Sequence, residues 1–297
     1  MANLPSLSPQ LVLDHKCLLG EGPVWDFKKK IICWIDILRG EIHQYSPEKK
    51  NHFVIPVNQV IGCIALCNDG GFIAARKNGF AFISRDGKII EEINDPESHL
   101  PGNRFNDGKC DPTGRFWAGT MSLAEENGAG SLYTIDTALK VTKKLGGSTI
   151  SNGLAWTSDK KILYYIDTPT SQIFSFDYDD ASGNITNRKS IIKIAAEDGF
   201  PDGMTIDSEG MVWVAHWDGW QVSRWNPLTG EKLLRVAMPV ARVTSCTFGG
   251  DALQDLYITT ASKELTEEQL KQQPLAGSLF VLENCSVKGL PTVEFIR

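Results

Sequence analysis

Five glycines, Gly22, Gly62, Gly108, Gly153 and Gly203, lie 40, 46, 45 and 50 residues apart, and each opens a short apolar segment. The pair Thr244-Ser245 follows Gly203 at a similar distance and opens a sixth. Recurrence of this kind means one supersecondary unit copied along the chain. After each opening comes a turn with Asp, Gly or Lys, then a second strand with an aromatic or branched centre. Those centres, Trp34, Ile73, Trp117, Tyr165, Trp213 and Tyr257, are separated by 39, 44, 48, 48 and 44 residues. Third and fourth strands follow in each unit, such as Glu41 to Tyr45 and His52 to Val57 in the first.

Short, evenly spaced strands with Gly, Asp and Asn turns define an all-β chain, and four strands in about 45 residues is the size of a propeller blade. Six units predict a six-bladed β-propeller of four-stranded blades, with residues 1–297 as a single domain. A helical reading fails because no 3.6 period is sustained. The exception is Lys263 to Gln273, rich in Glu, Leu, Lys and Gln, which predicts a turn or two of helix in a last-blade loop. The sixth unit lacks a fourth strand of its own. Leu11 to Asp14 is expected to supply it beside Leu279 to Leu282, closing the ring and hiding a sheet edge. Thr292 to Ile296 competes for the same place.

Composition narrows function. The net charge of −6 argues against a nucleic-acid partner, which needs a basic footprint. No apolar run is long enough to cross a bilayer, so no membrane partner is expected. The seven cysteines are odd in number and form no metal-type pair of pairs; Cys63 and Cys67 are read as small inward-facing residues. Met1-Ala2-Asn3-Leu4-Pro5 lacks the basic start and apolar stretch of a secretion signal. The expectation is a soluble, cytoplasmic protein, monomeric or weakly oligomeric.

Equivalent positions in a closed array point at a common axis, so Glu21, Asn152 and Asp202, beside three of the glycines, are expected to meet at the channel mouth. They offer two carboxylates and an amide oxygen. Hard oxygen donors suit Ca²⁺, Mg²⁺ or Mn²⁺, and Zn²⁺ and Fe²⁺ can be held this way. The competing reading is that each Asp or Asn merely shapes a turn. That reading does not explain Glu21, a poor turn former whose carboxylate needs a counter-charge if buried. Arg104 can supply part of it, or hydrogen-bond a polyhydroxylated substrate with its planar fork. Asn106 and Asp107 belong to the same face, as does the loop Ser122 to Gly130 with Glu125 and Glu126. His216 and Trp217 lie near it, His216 more as a structural than a catalytic group. The five histidines show no metal-ligand spacing. No Gly-Xaa-Ser-Xaa-Gly elbow or phosphate-cradling glycine loop supports a serine hydrolase or a nucleotide enzyme.

Leu19-Gly20-Glu21-Gly22-Pro23-Val24-Trp25, Arg104-Phe105-Asn106-Asp107-Gly108-Lys109, Ala118-Gly119-Thr120-Met121, Ser151-Asn152-Gly153-Leu154-Ala155-Trp156, Pro201-Asp202-Gly203-Met204 and Thr244-Ser245-Cys246-Thr247-Phe248-Gly249-Gly250 together resemble the senescence-marker-protein/gluconolactonase/luciferin-regenerating-enzyme family. The likeness spans nearly the whole chain, in order and spacing. It implies one divalent cation at the channel mouth, held by Glu21, Asn152 and Asp202, and hydrolysis of sugar lactones. Substrate contacts would fall on Arg104, Asn106 and Asp107, with a lid glutamate at Glu125 or Glu126. Asp202 would be the catalytic general base. A calcium-binding regulator and a phosphotriesterase-like hydrolase are the rival readings.

Overall fold

The computed structural model describes residues 6–297; the Met1–Pro5 stretch read for a secretion signal lies outside them. The alternating and short apolar runs become strands that pair into six sheets arranged as propeller blades, each built on four antiparallel strands. Their innermost strands are Gly20–Asp26, Ile61–Leu66, Asn103–Cys110, Ser151–Trp156, Phe200–Ile206 and Val243–Gly249. Apolar residues on both faces of a blade must be covered, and the blades cover one another. Six buried clusters result, one at each seam between neighbouring blades. Trp34, Trp117, Tyr165 and Trp213, centres of second strands, are among the largest fully buried side chains. All seven cysteines are free and buried.

The ring closes as the sequence predicts. Gln10–Leu13 runs antiparallel beside Leu279–Leu282 as the outer strand of the last blade, with Leu11 opposite Phe280 and Leu13 opposite Leu279. The carboxyl-terminal rival goes elsewhere. Phe295 exchanges backbone hydrogen bonds with Leu66 and Asn68 and buries its ring under the second blade. One strand was not foreseen: Ser6–Leu7 lies parallel to Glu231–Ala237 as a fifth strand of blade five. The amino-terminal segment thus stitches blade five to blade six before entering blade one. The helix of the last blade is Glu267–Gln272, started by a Thr266–Gln269 capping box.

The glycine repeat has a different cause from the turns suggested by the sequence. All six innermost strands carry a register shift at the repeat position, at Glu21/Val24, Ile61/Cys63, Phe105/Gly108, Asn152/Leu154, Pro201/Met204 and Val243/Ser245. A bulge of this kind bends the strand and re-aims its side chains. In blades one, four and five it turns Glu21, Asn152 and Asp202, each just before its glycine, into the channel. Gly22 is needed for its positive φ of 53°, and the later glycines of the repeat are required by crowding around the axis. A Cβ on Gly153 would stand 2.8 Å from the Asp202 carbonyl oxygen, and one on Gly62 would stand 2.4 Å from that of Phe105. Inner strands of successive blades therefore touch backbone to backbone, which leaves no space for a side chain.

Candidate functional site at the channel mouth

Glu21, Asn152 and Asp202 come from bulges in blades one, four and five and meet in one cavity of about 400 Å³, which Arg104, Asn106 and Glu125 also line. All but Glu125 among these are buried. The amide of Asn152 donates to Asp202 Oδ1 and, at 3.0 Å, to Thr168 Oγ1, while the Thr168 hydroxyl donates to the Pro201 carbonyl. Gly22 N–H donates to Glu21 Oε2 at 2.7 Å. Arg104 Nη1 donates to Asn106 Oδ1 at 2.8 Å and to its neighbour's carbonyl, and Asn106 donates onward to the Ser151 carbonyl. Arg104 and Asn106 are thereby locked as one unit against blade four.

Two sequence-derived candidates fall away from the cavity. Asp107 takes the Gly108 N–H at 2.7 Å and lines a second cavity, which Ser158, Lys160 and Pro291 also line. Of the paired glutamates, Glu125 lines the mouth and Glu126 does not. His216 is fully buried with its Nε2 on Ser223 Oγ, and burial pushes its imidazole down to about 3. Trp217 forms part of the wall, with Phe200, Met121 and Pro169. The sequence reading missed Thr168, Lys263 and Glu264, which also line the cavity. A signal for Thr168 existed: it directly follows the second strand of blade four, whose loop opens on the same face as Ser122 to Gly130. The sequence reading also missed that His15, His43 and His52, which have no ligand spacing along the chain, meet in space beside Trp34.

The electrostatics of the mouth are out of balance. Burial, then repulsion from Asp202 and Asp107, raises the Glu21 carboxyl well above its ordinary range. Burial and Asp107 do the same to Asp202, against the hydrogen bond from Asn152, and burial raises Asp107. Arg104 is brought down to about 10 by its own desolvation and stays charged at neutral pH. Arg104 near Glu21 and Asp202, and the buried Lys109 near Asp107, set two cations against three desolvated carboxylates, which leaves negative charge in excess. A divalent cation fits this set: the donors are oxygens, the charge deficit has its sign, and a half-turn of the Asn152 amide presents Oδ1 in place of Nδ2.

A six-bladed propeller with an oxygen-lined, electron-rich funnel mouth defines a class of protein, and comparison with known proteins places the chain within it. The model of the SMP-30/Gluconolactonase/LRE-like region matches residues 19–262, and the chain belongs to that family. It is 38% identical over 270 residues to YvrE of Bacillus subtilis (strain 168), whose name assigns it provisionally as a sugar lactone lactonase, covering 91% of this chain and 92% of that one. It is 35% identical to regucalcin of Xenopus laevis, covering 98% and 99% of the two chains. Among solved structures, regucalcin of Agrobacterium tumefaciens str. C58, described as a calcium-binding protein, superimposes with a TM-score of 0.93 at 28% identity over 99% of both chains. Sugar-lactone hydrolysis or calcium binding is therefore the functional range of the family. No helix among the described residues is long and apolar enough to cross a membrane.

Proposed function

We propose that the protein hydrolyses a sugar lactone to its aldonic acid at the channel mouth. One observation carries this reading: Glu21, Asn152, Asp202, Arg104, Asn106 and Glu125 line a single cavity of about 400 Å³, large enough for one monosaccharide ring. Glu21, Asn152 and Asp202 would hold a divalent cation, which supplies Lewis-acid polarisation of the ester carbonyl when bound. Asp202 takes a proton from water as the water oxygen bonds to the carbonyl carbon, and the bond from that carbon to the ring oxygen breaks. The proton returns from Asp202 to the departing ring oxygen, leaving a hydroxy acid. A carboxylate is a weak base at its ordinary pKa of about 4, and a cation beside the attacking water would offset this by making the water more acidic. Arg104, fixed by Asn106, and Glu125 orient the sugar hydroxyls, while Trp217 and Phe200 narrow the approach of bulk water.

A panel of aldonolactones followed by acid release tests the reading directly. Turnover should vanish on chelation with EDTA and return on reloading with one or more of Ca²⁺, Mg²⁺, Mn²⁺, Zn²⁺ and Fe²⁺. Full activity in EDTA would end the cation-assisted reading. Tight Ca²⁺ binding with no turnover of any lactone would favour a calcium-binding regulator, the second reading that the all-oxygen donor set supports. Faster turnover of an organophosphate than of any lactone would favour the phosphotriesterase-like reading.

Arg104→Lys separates orientation from chemistry. A lysine keeps the charge but cannot bridge the Asn106 amide and a sugar hydroxyl in one plane. The expected result is a KM raised about tenfold or more with a smaller fall in kcat. An unchanged KM would remove Arg104 from the substrate contacts.

A further inference from the structure

Away from the mouth, three imidazoles meet on the seam where the ring closes. In blade one, Glu41–Ser46 pairs with Asn51–Pro56 so that His43 faces Val54 and His52 faces Tyr45. His43 and His52 are therefore diagonal neighbours on one face. His15 arrives from the segment joining the clasp strand to blade one. One ring nitrogen from each of the three lies within 4.8 Å of the others. His43 Nδ1 stands 3.0 Å from His52 Nε2, and the rings of His15 and His43 are 4.6 Å apart. Trp34 lies nearly parallel to His43 and His52, at 14° and 13°, which fixes their planes. Glu41 brings Oε2 to 3.6 Å from His43 Nε2 and 3.8 Å from His15 Nε2. That oxygen is buried with no hydrogen-bond partner among the described residues.

A packing role does not account for this group. One shared proton satisfies the His43–His52 contact, but the buried carboxylate oxygen beside it stays unpaired. Three imidazoles and a carboxylate are the donor chemistry of borderline transition ions and differ in kind from the all-oxygen mouth. In a tetrahedral zinc site the nitrogens lie about 3.4 Å apart. Rotation of the part-exposed His15 ring closes the remaining distance.

We propose that His15, His43 and His52 form a second metal site that takes a divalent transition ion such as Zn²⁺ and fastens the amino-terminal clasp to blade one, with the Glu41 carboxylate close by to balance its charge. His15 is well placed for that role. On one side Asp14 accepts the Ser278 hydroxyl at 2.9 Å, and on the other Cys17 N–H donates to the Gly277 carbonyl at 2.9 Å. Both ties run to blade six, while Leu18 and Leu19 donate their N–H groups to Asp36 of blade one; an ion on His15 would add a tie from the clasp to the outer strands of blade one.

The test uses untagged full-length protein in excess Ca²⁺, which occupies oxygen sites and has little affinity for imidazole. Zn²⁺ at about a hundred times its Kd should raise Tm by roughly 4 °C. Co²⁺ should give the visible absorption of a four-coordinate, nitrogen-rich site. His15→Ala and His52→Ala, both at part-exposed positions, should lose the shift and the absorption, whereas Glu21→Gln at the mouth should keep both. His15→Gln serves if either alanine variant fails to fold. Absence of both signals in the unmodified protein, or their survival in the histidine variants, overturns the proposal. Zn²⁺ replacing Ca²⁺ at the mouth would shift every histidine variant alike and so counts against it.

Discussion

Replacing Asp202 by asparagine is expected to lower lactone turnover by about a thousandfold or more while raising the melting temperature of cation-free protein by about 2–5 °C. The two effects share one cause. Asparagine keeps the shape of the side chain and an oxygen that accepts from Asn152, but it cannot take a proton from water. Its gain in stability follows from the direction of the carboxyl shifts. Glu21, Asp107 and Asp202 bind protons more tightly in the folded state than in the unfolded chain. Stability from such groups is complete at acid pH and is lost as pH rises through and above the ordinary carboxylate range, because the folded state then carries repelling charges. Cation-free protein should therefore melt lower at pH 7 than at pH 5 in this respect, and Asp202→Asn should flatten that dependence. Calorimetric scans at several pH values, with and without chelator, measure it. Asp202→Ala should lose turnover equally. An Asp202→Asn protein that keeps wild-type turnover would take the general base away from this residue, and a cation-free Tm that falls would remove the charge argument.

Deletion of residues 1–15 should abolish the single cooperative melting transition or lower it by about 10 °C or more. The deletion removes the outer strand of blade six and the extra strand on blade five. Leu13 and Val12 pack on the seam cluster of Trp25, Trp34, Tyr257, Leu279 and Val281, so their loss also bares apolar surface between blades six and one. Val12 and Leu13 are partly buried, so each contributes less than the ~1.5–3 kcal/mol of a fully buried side chain. With the ladder hydrogen bonds and the uncovering of Leu279 and Val281, the loss is still a large part of a net stability of about 5–15 kcal/mol. The exposed edge of Leu279–Leu282 is then free to pair with another chain. A truncated protein that melts as the full chain does would show that the ring closes without its clasp.

Much of the architecture could be read in the sequence because local patterning and blade geometry share a period. Trp34, Trp117 and Trp213 mark second strands since only a strand with both faces covered tolerates indoles at its centre. Their spacing therefore counts blades. The inward position of Glu21, Asn152 and Asp202 was legible for the same reason: equivalent places in copied units share an axis. The choice between Glu125 and Glu126 was not legible. Glu125 has a positive φ of 53° in its loop, and a backbone turn of that kind, set by the surrounding contacts, decides which of two adjacent side chains faces the cavity.

The chain alone determined the repeating strands, their number of sheets and the set of polar groups aimed at the centre, because these depend on alternation and spacing within each unit. The three-dimensional structure decided what depends on distant segments meeting. It decided that bulges at each inner strand turn the site residues inward, that Phe295 caps the second blade and leaves the clasp to the amino terminus, and that His15 joins His43 and His52. No local pattern encodes such encounters; they arise only when the last sheet is stitched to the first.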